Sequence, residues 1–188
     1  MKNTGRLNFV WIIICVLILW QSNGAYCSEP VGQFPPAKFT LPAPDSPQVQ
    51  EYLGLRTMEP FRISDIKSKL VVVEFMDAHC TPCHVNAPIM NYIYDTIQSD
   101  SRIDDVKIIG VAVANETGDV ETYKKEFNTP FPILLDKDAA ILVAMDGVQT
   151  PTTMIISTEN SEVLLSESGV IKDSDKFVKQ LIAFQEGQ

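Results

Sequence analysis

The stretch that decides the fold is LVVVEFMDAHCTPCH, residues 70–84. Its apolar, β-branched first part, residues 70–76, predicts a buried β-strand, and Cys80 and Cys83 follow that strand directly. If a helix begins between the two cysteines, Cys80 lies at the positive end of the helix, where a thiolate is stabilised. A disulfide closing so short a loop would stabilise the chain by only about 2 kcal/mol. The motif therefore predicts reversible disulfide exchange at an active site.

The rest of the chain predicts alternating strands and helices. Apolar side chains at every fourth position, namely Val85, Ile89, Ile93 and Ile97, predict one buried face of a helix that reaches about Gln98 and is kinked at Pro88. Further strands are predicted at 106–113, 152–157 and 162–168, and further helices at 119–127, 139–145 and 173–184. This order predicts an α/β fold with a central mixed sheet and helices on both faces.

Composition divides the chain of 188 residues into three parts. Residues 1–27 carry Lys2 and Arg6 before a 12-residue apolar run, which predicts a signal peptide or an N-terminal anchor. The run is shorter than the roughly 20 residues of a membrane-spanning helix, which favours cleavage. Residues 28–60 are rich in proline and predict an extended arm with a short edge strand near Lys38 to Leu41, and residues 61–188 predict one globular domain.

Charge and cysteine content restrict the partners and the compartment. The net charge of −9 disfavours nucleic acid and anionic membrane surfaces as partners, because both repel an acidic protein. Loss of the leader would leave Cys80 and Cys83 as the only assured thiols of an exported protein, able to pair only with each other.

Several positions outside the cysteine pair resemble the thioredoxin-like superfamily over about residues 38–184. Glu74 lies six residues before Cys80, Pro82 precedes Cys83, and Thr150-Pro151 resembles the cis-proline loop of that superfamily. The additional stretch 133–145 resembles the insertion of exported TlpA and ResA-type proteins. The resemblance implies a three-layer sandwich with a TlpA-type insertion. Two departures are Asn86, where that subgroup commonly has Glu, and His79, where thioredoxins usually have Trp.

The resemblance also implies roles for individual residues in a reductase of protein disulfides. Cys80 would be the nucleophile, Cys83 the resolving thiol and Glu74 the buried proton acceptor. Substrate would bind at Thr150 and Pro151, and the reactivity of the thiols would be tuned by Thr81, Pro82, His79 and His84. No metal and no cofactor beyond the Cys80–Cys83 disulfide is implied. The implied partners are protein disulfides and an upstream membrane or periplasmic thiol donor, in the periplasm or on the outer face of the cytoplasmic membrane.

Two other functions remain open from the sequence. Residues 80–84 also satisfy C-x-x-C-H, the attachment signature of c-type haem. The segment 131–136 resembles peroxiredoxins, although residues 73–78 offer neither the Pro nor the Thr that precede a peroxidatic cysteine. The two histidines flank the cysteines immediately, so the four side chains cannot easily surround one metal ion. The direction of electron flow is not readable from the motif, because it depends on the surroundings of the thiolate.

Overall fold

The computed structural model describes residues 37–187. The elements in chain order are β1 (Thr40–Leu41), α1 (Pro47–Leu53), β2 (Phe61–Arg62), a 3-10 turn (Ile63–Asp65), β3 (Leu70–Met76), α2 (Thr81–Ser99), β4 (Val106–Val113), α3 (Thr117–Phe127), β5 (Ile133–Asp136), α4 (Ala140–Ala144), β6 (Thr152–Ser157), β7 (Val163–Ser168) and α5 (Ser174–Glu186). The predicted signal peptide and the first residues of the predicted arm lie outside the described residues.

The centre of the fold is a five-stranded sheet with the strand order β5-β4-β3-β6-β7. The pairs β3–β4 and β4–β5 are parallel, whereas β3–β6 and β6–β7 are antiparallel. All seven residues of β3 are buried, because the strand is central and covered on both faces. The mixed sheet confirms the predicted fold class.

Helices cover both faces of this sheet. The face that we call the α2 face packs against α2, α3 and α5, with Met90, Tyr123 and Phe177 among the buried residues. The opposite face, here the α1 face, packs against the segment 37–66 and α4, with Leu53 and Ile141 among the buried residues. Alternate residues of β3 contribute to the two cores because successive strand side chains point to opposite faces.

Helix α2 ends at Ser99, one residue beyond the predicted end near Gln98, and its buried side differs from the prediction. Its buried residues are Cys83, Asn86, Ala87, Met90, Ile93 and Ile97. Val85 is 55% exposed, so the prediction that it begins the buried face was wrong. The four-residue spacing drifts around a helix with 3.6 residues per turn, and the polar Asn86 is buried where Val85 was predicted to be. Pro88 lies inside the helix.

Two elements were missed by sequence reasoning. The strand β5 pairs with β4 at one edge of the sheet, so the stretch 133–145 forms a strand as well as the predicted helix. The helix α1 interrupts the predicted extended arm: Ser46 caps it by accepting from Val49 N–H, Pro47 opens it, and Gly54 ends it with φ of 68°. A Cβ on Gly54 would lie 2.5 Å from Lys67 Cβ, so this position also requires the absence of a side chain.

The docking of α1 on the sheet is polar as well as apolar. Tyr52 Oη accepts from Ile108 N–H at 3.0 Å and donates to Ile108 O at 3.3 Å. The partner strand β5 begins its pairing with β4 only at Gly110, so the tyrosine satisfies backbone groups of β4 that no strand pairs on that side. Among residues 37–187, no helix is long and apolar enough to span a membrane.

Candidate active site

Cys80 lies at the N-terminus of α2, where the sequence predicted it. It is the N-cap residue, and the backbone N–H groups of Cys83 and His84 donate to its carbonyl oxygen at 3.0 and 3.2 Å. Thr81 and Pro82 form the exposed first turn, and Pro82 fits there because helix N-termini need no donor at that position. The thiol is half-buried and free, at the positive end of a 19-residue helix that stabilises a thiolate.

Cys83 is the buried member of the pair, with none of its surface exposed. The pKa of its thiol is raised to about 12, mainly by burial; the neighbouring Cys80 and the Glu74 charge add to the rise, and a backbone hydrogen bond at Asp77 opposes it. The two cysteines therefore differ in accessibility, as predicted. Cys80 is accessible to another molecule, whereas Cys83 can contact only Cys80 and the protein interior.

Glu74 lies on the α2 face of β3 and is 2% exposed. Burial raises the pKa of its carboxyl group to about 7, and a hydrogen bond from Asn86 opposes that rise. Its neighbours on the adjoining strands are Gly110 on β4 and Thr153 on β6. A carboxyl group with such a pKa exchanges protons near neutral pH, which is the property that the sequence-based role of Glu74 requires.

The loop before β6 lies opposite Cys80. The bond between Thr150 and Pro151 is cis, which confirms the prediction. The Cys80 Sγ atom lies 3.5 Å from Thr150 O, close enough for the thiol to donate to that carbonyl. The structure therefore places Cys80, the predicted nucleophile, beside the loop that is predicted to bind substrate.

The two histidines next to the cysteines have different surroundings. His79 has a side chain that is 71% exposed, and its Nε2 lies 3.4 Å from Asp119 Oδ1. His84 Nε2 lies 2.7 Å from Ala78 O, and because a carbonyl only accepts, this nitrogen carries the hydrogen. The ring of His84 also packs 5.0 Å from that of Phe127. His84 therefore fixes the loop before Cys80, and the tuning of the thiol by either histidine stays a prediction.

Sequence reasoning missed the residues that hold the loop before α2. Asn115, which is 2% exposed, accepts from Ala78 N–H and donates to Asp77 Oδ1, both at 2.9 Å. Asp77 Oδ1 also accepts from His79 N–H at 2.9 Å. Tyr123 donates to Cys83 O at 3.2 Å. No local sequence signal indicates these contacts, because Asn115 and Tyr123 lie more than 35 residues from their partners.

The geometry does not suit covalent attachment of haem through C-x-x-C-H. Two thioethers and an axial imidazole need two accessible sulfur atoms and a free histidine nitrogen. Cys83 is fully buried, so the pair does not offer two accessible sulfur atoms. Within residues 37–187, no cluster of three or more His, Cys, Asp or Glu side chains could hold a metal ion.

The amino-acid sequence matches one protein family and is similar to several characterised proteins. The family described as the AhpC/TSA family matches residues 35–173. The chain is 31% identical over 114 residues to the thiol-disulfide oxidoreductase ResA of Geobacillus kaustophilus, a match that covers 61% of this chain and 63% of that protein. It is 25% identical over 170 residues to the sporulation thiol-disulfide oxidoreductase A of Bacillus subtilis, covering 88% of this chain and 91% of that protein. The chain thus spans less than two thirds of the length of this ResA relative.

A solved structure shares the fold. It is that of a secreted Mycobacterium tuberculosis disulfide oxidoreductase, with a TM-score of 0.56 and 17% identity, covering 78% of this chain and 96% of that one. At this identity the match shows the fold alone, which is thioredoxin-like, as predicted. Together with the ResA relative, it confirms the resemblance that the residues around Cys80 and Cys83 indicated.

Proposed function

The chain belongs to the AhpC/TSA family, and we propose that it is an exported thiol-disulfide oxidoreductase that reduces disulfides in other proteins. The observation that carries the proposal is the asymmetry of the dithiol: Cys80 is half-buried at a helix N-terminus, and Cys83 is fully buried. The relatives named as thiol-disulfide oxidoreductases support the same reaction class.

The first step is attack by the Cys80 thiolate on a substrate disulfide. The sulfur–sulfur bond of the substrate breaks, one substrate sulfur leaves as a thiolate that takes a proton, and the other is joined to Cys80 Sγ. Thr150 O lies 3.5 Å from that Sγ, at a position where an extended substrate backbone could donate to it. Pro151, lacking an N–H, adds no competing donor to this loop.

The second step releases the reduced substrate. The Glu74 carboxylate takes the proton from the Cys83 thiol, and the resulting thiolate attacks Cys80 Sγ. The Cys80–Cys83 disulfide forms, and the substrate thiolate leaves and is protonated. The thiolate charge of Cys80, which raises the pKa of Cys83 in the dithiol state, is absent from the mixed disulfide. Deprotonation of Cys83 therefore becomes easier at the point where it is needed.

Each turnover leaves the pair oxidised, so a continuous reductase needs a thiol donor. We assign this donor to the outer face of the cytoplasmic membrane or to the periplasm, because the leader pattern in residues 1–27 favours export. A membrane-impermeant maleimide added to intact cells should label Cys80 of the full chain, and labelling only after lysis would overturn export.

Trapping of the mixed disulfide tests the reaction. Reduced wild-type protein should reduce insulin disulfides, Cys80→Ser should fall to the uncatalysed rate, and Cys83→Ser should accumulate a covalent complex with the substrate because its resolving thiol is missing. Dithiothreitol should reduce the mixed disulfide and release the substrate from the complex. Insulin reduction that survives in Cys80→Ser would overturn the proposal.

A peroxidase is the alternative that the same variants separate. The family description and the resemblance of residues 131–136 to peroxiredoxins favour it. Hydrogen peroxide consumption with a reductant present, at a rate well above that of Cys80→Ser and without insulin reduction, would support the peroxidase. Insulin reduction without peroxide turnover would support the thiol-disulfide oxidoreductase.

A further inference from the structure

One buried amide joins the dithiol region to a distant loop. Asn86, on the second turn of α2, has no exposed surface. Its Nδ2 donates to Glu74 Oε1 at 2.8 Å, and its Oδ1 accepts from Ile171 N–H at 3.0 Å. Ile171 lies in the segment between β7 and α5, 85 residues along the chain. The amide therefore connects three parts of the fold at the base of the site.

The two hydrogen bonds allow only one orientation of the amide. A backbone N–H can only donate, so the amide oxygen must face Ile171. The NH₂ group, which has no acceptor lone pair, then faces Glu74 Oε1. The opposite orientation would place a donor against Ile171 N–H and leave that buried N–H without an acceptor, which is strongly unfavourable in the protein interior.

This fixed donor distinguishes the two oxygens of Glu74. An oxygen that accepts from Asn86 Nδ2 at 2.8 Å cannot carry a proton pointing at that nitrogen. We propose that Asn86 is a positioning residue that keeps Glu74 Oε1 as an acceptor and directs the exchanged proton to Glu74 Oε2. The role rests on the proposed function of the dithiol, and it concerns the second step, in which the proton of the Cys83 thiol moves to the carboxylate as that thiolate attacks Cys80 Sγ.

The same hydrogen bond affects the ionisation of Glu74. Burial raises the pKa of the carboxyl group, and the Asn86 hydrogen bond lowers it, since the donor stabilises the ionised form. The titratable groups that interact with Glu74 are Cys83 of the dithiol and Tyr123 of α3, whose pKa is raised by burial and by the nearby negative charges. None of these neighbours is a cation, so within the described residues the amide is the group that favours the carboxylate.

The substitution Asn86→Asp isolates the contact with Glu74. An aspartate keeps the shape of the side chain and an acceptor for Ile171 N–H, but it replaces the donor to Glu74 with a second carboxyl oxygen. Two carboxyl groups in contact share one proton, and one of their macroscopic pKa values rises strongly. We expect the ¹³C titration midpoint of the Glu74 carboxyl carbon in the reduced protein to rise by about one unit or more and resolution at neutral pH to slow about tenfold or more.

The matched control is Asn91→Asp on the same helix. Asn91 Nδ2 donates to Phe127 O at 2.8 Å and does not contact Glu74, so the Glu74 midpoint and the resolution rate should stay unchanged. In the Glu74→Gln background, Asn86→Asp should no longer shift the pH profile of resolution. An unchanged Glu74 midpoint in Asn86→Asp, or a shift of the profile that persists without Glu74, would overturn the proposal.

A measurement on the wild-type protein covers the case in which Asn86→Asp does not fold. The side-chain amide protons of Asn86 should shift with the same midpoint as the Glu74 carboxyl carbon. Amide signals that do not move through this titration would overturn the positioning role. Neither titration needs turnover, so an absence of insulin reduction would remove the proposed function while leaving the role of Asn86 to be decided by these spectra.

Discussion

The two faces of the central sheet differ in what β3 buries on each of them. On the α1 face it contributes Val71, Val73 and Phe75, all apolar and none of them exposed. On the α2 face the same strand buries Glu74 against Asn86 and close to Cys83. One strand therefore supports an apolar core on one side and a titratable site on the other, because its side chains alternate.

The difference teaches that stability and reactivity can be changed separately in this fold. Removal of apolar surface from the α1 face should lower the free energy of unfolding and leave proton transfer intact. Changes to the carboxyl group on the α2 face should alter proton transfer and leave the apolar packing intact. The predictions below test this separation, from the largest expected effect to the smallest.

Glu74→Gln should slow resolution of the mixed disulfide by about 10²- to 10⁴-fold, the usual contribution of a positioned general base. Glutamine can still accept from Asn86 through its amide oxygen, so the fold should persist. Acid quenching at intervals should show accumulation of the mixed disulfide. Glu167→Gln is the control, since Glu167 on β7 is a carboxyl group whose pKa is likewise raised but which is only partly buried. Equal resolution rates in Glu74→Gln and wild type would show that the carboxyl group has no part in the step.

Phe75→Ala should lower the free energy of unfolding by about 3–5 kcal/mol, because a fully buried aromatic side chain on the α1 face is replaced by a cavity. Urea unfolding measures the loss. The ¹³C titration midpoint of Glu74 in the folded variant should not move. Val143→Ala removes a side chain that is 73% exposed and should change stability by less than about 0.5 kcal/mol. A shift of the Glu74 midpoint in Phe75→Ala would show that the two faces are coupled.

The stability of the wild-type protein should fall as the pH rises from about 4.5 to about 7, because the pKa of Glu74 is raised from 4.5 to about 7 on folding. Between these values the unfolded chain loses the proton and the folded chain keeps it, so ionisation favours the unfolded state. The loss of stability caused by Glu74 is about 3 kcal/mol; it is complete above pH 7 and absent below pH 4.5. Urea unfolding across this pH range should show the decrease, and Glu74→Gln should lack this component. The same slope in both proteins would contradict the prediction.

Tyr52→Phe should lower the free energy of unfolding by about 1–3 kcal/mol, because Ile108 N–H and C=O lose the hydroxyl that satisfies them. Tyr92→Phe is the matched control: its hydroxyl group donates to Asp175 at an exposed position, where its loss should leave the free energy of unfolding nearly unchanged. Thermal unfolding of both variants measures the difference. Equal losses of stability would show that the hydrogen bonds between Tyr52 and Ile108 do not stabilise the packing on the α1 face.

The strongest local patterns predicted the fold well. The run 70–76 and the run 106–113 form β3 and β4 with the predicted bounds, since buried central strands read as uninterrupted apolar segments. The helix α1 could not be predicted in the same way. It is only seven residues long in a proline-rich stretch, and such short helices depend on tertiary contacts, here those of Tyr52 and Leu53 with the sheet.

The site was only partly readable for the same reason. The roles of Cys80, Cys83 and Glu74 were implied by the resemblance to the thioredoxin-like superfamily, whose motif these residues match in one strand and the helix after it. The burial of Asn86 was not readable, because the hydrogen bond that fixes it comes from Ile171. A polar residue after the motif suggests a solvent-facing turn until the loop that covers it is known. The opposite error occurred at Val85, which the four-residue spacing predicted to be buried and which is exposed.

The sequence by itself determined the chemistry available to this protein: two thiols on either side of a helix start, an acid in the preceding strand, and the alternation that places this acid beneath them. The tertiary structure decided which of these groups meet. It buried Cys83 completely, held Cys80 Sγ 3.5 Å from Thr150 O, and raised the pKa of Glu74 to about 7 beside a single oriented amide. The physical reason is that desolvation and hydrogen bonding, which set proton affinity, depend on contacts between segments far apart in the chain.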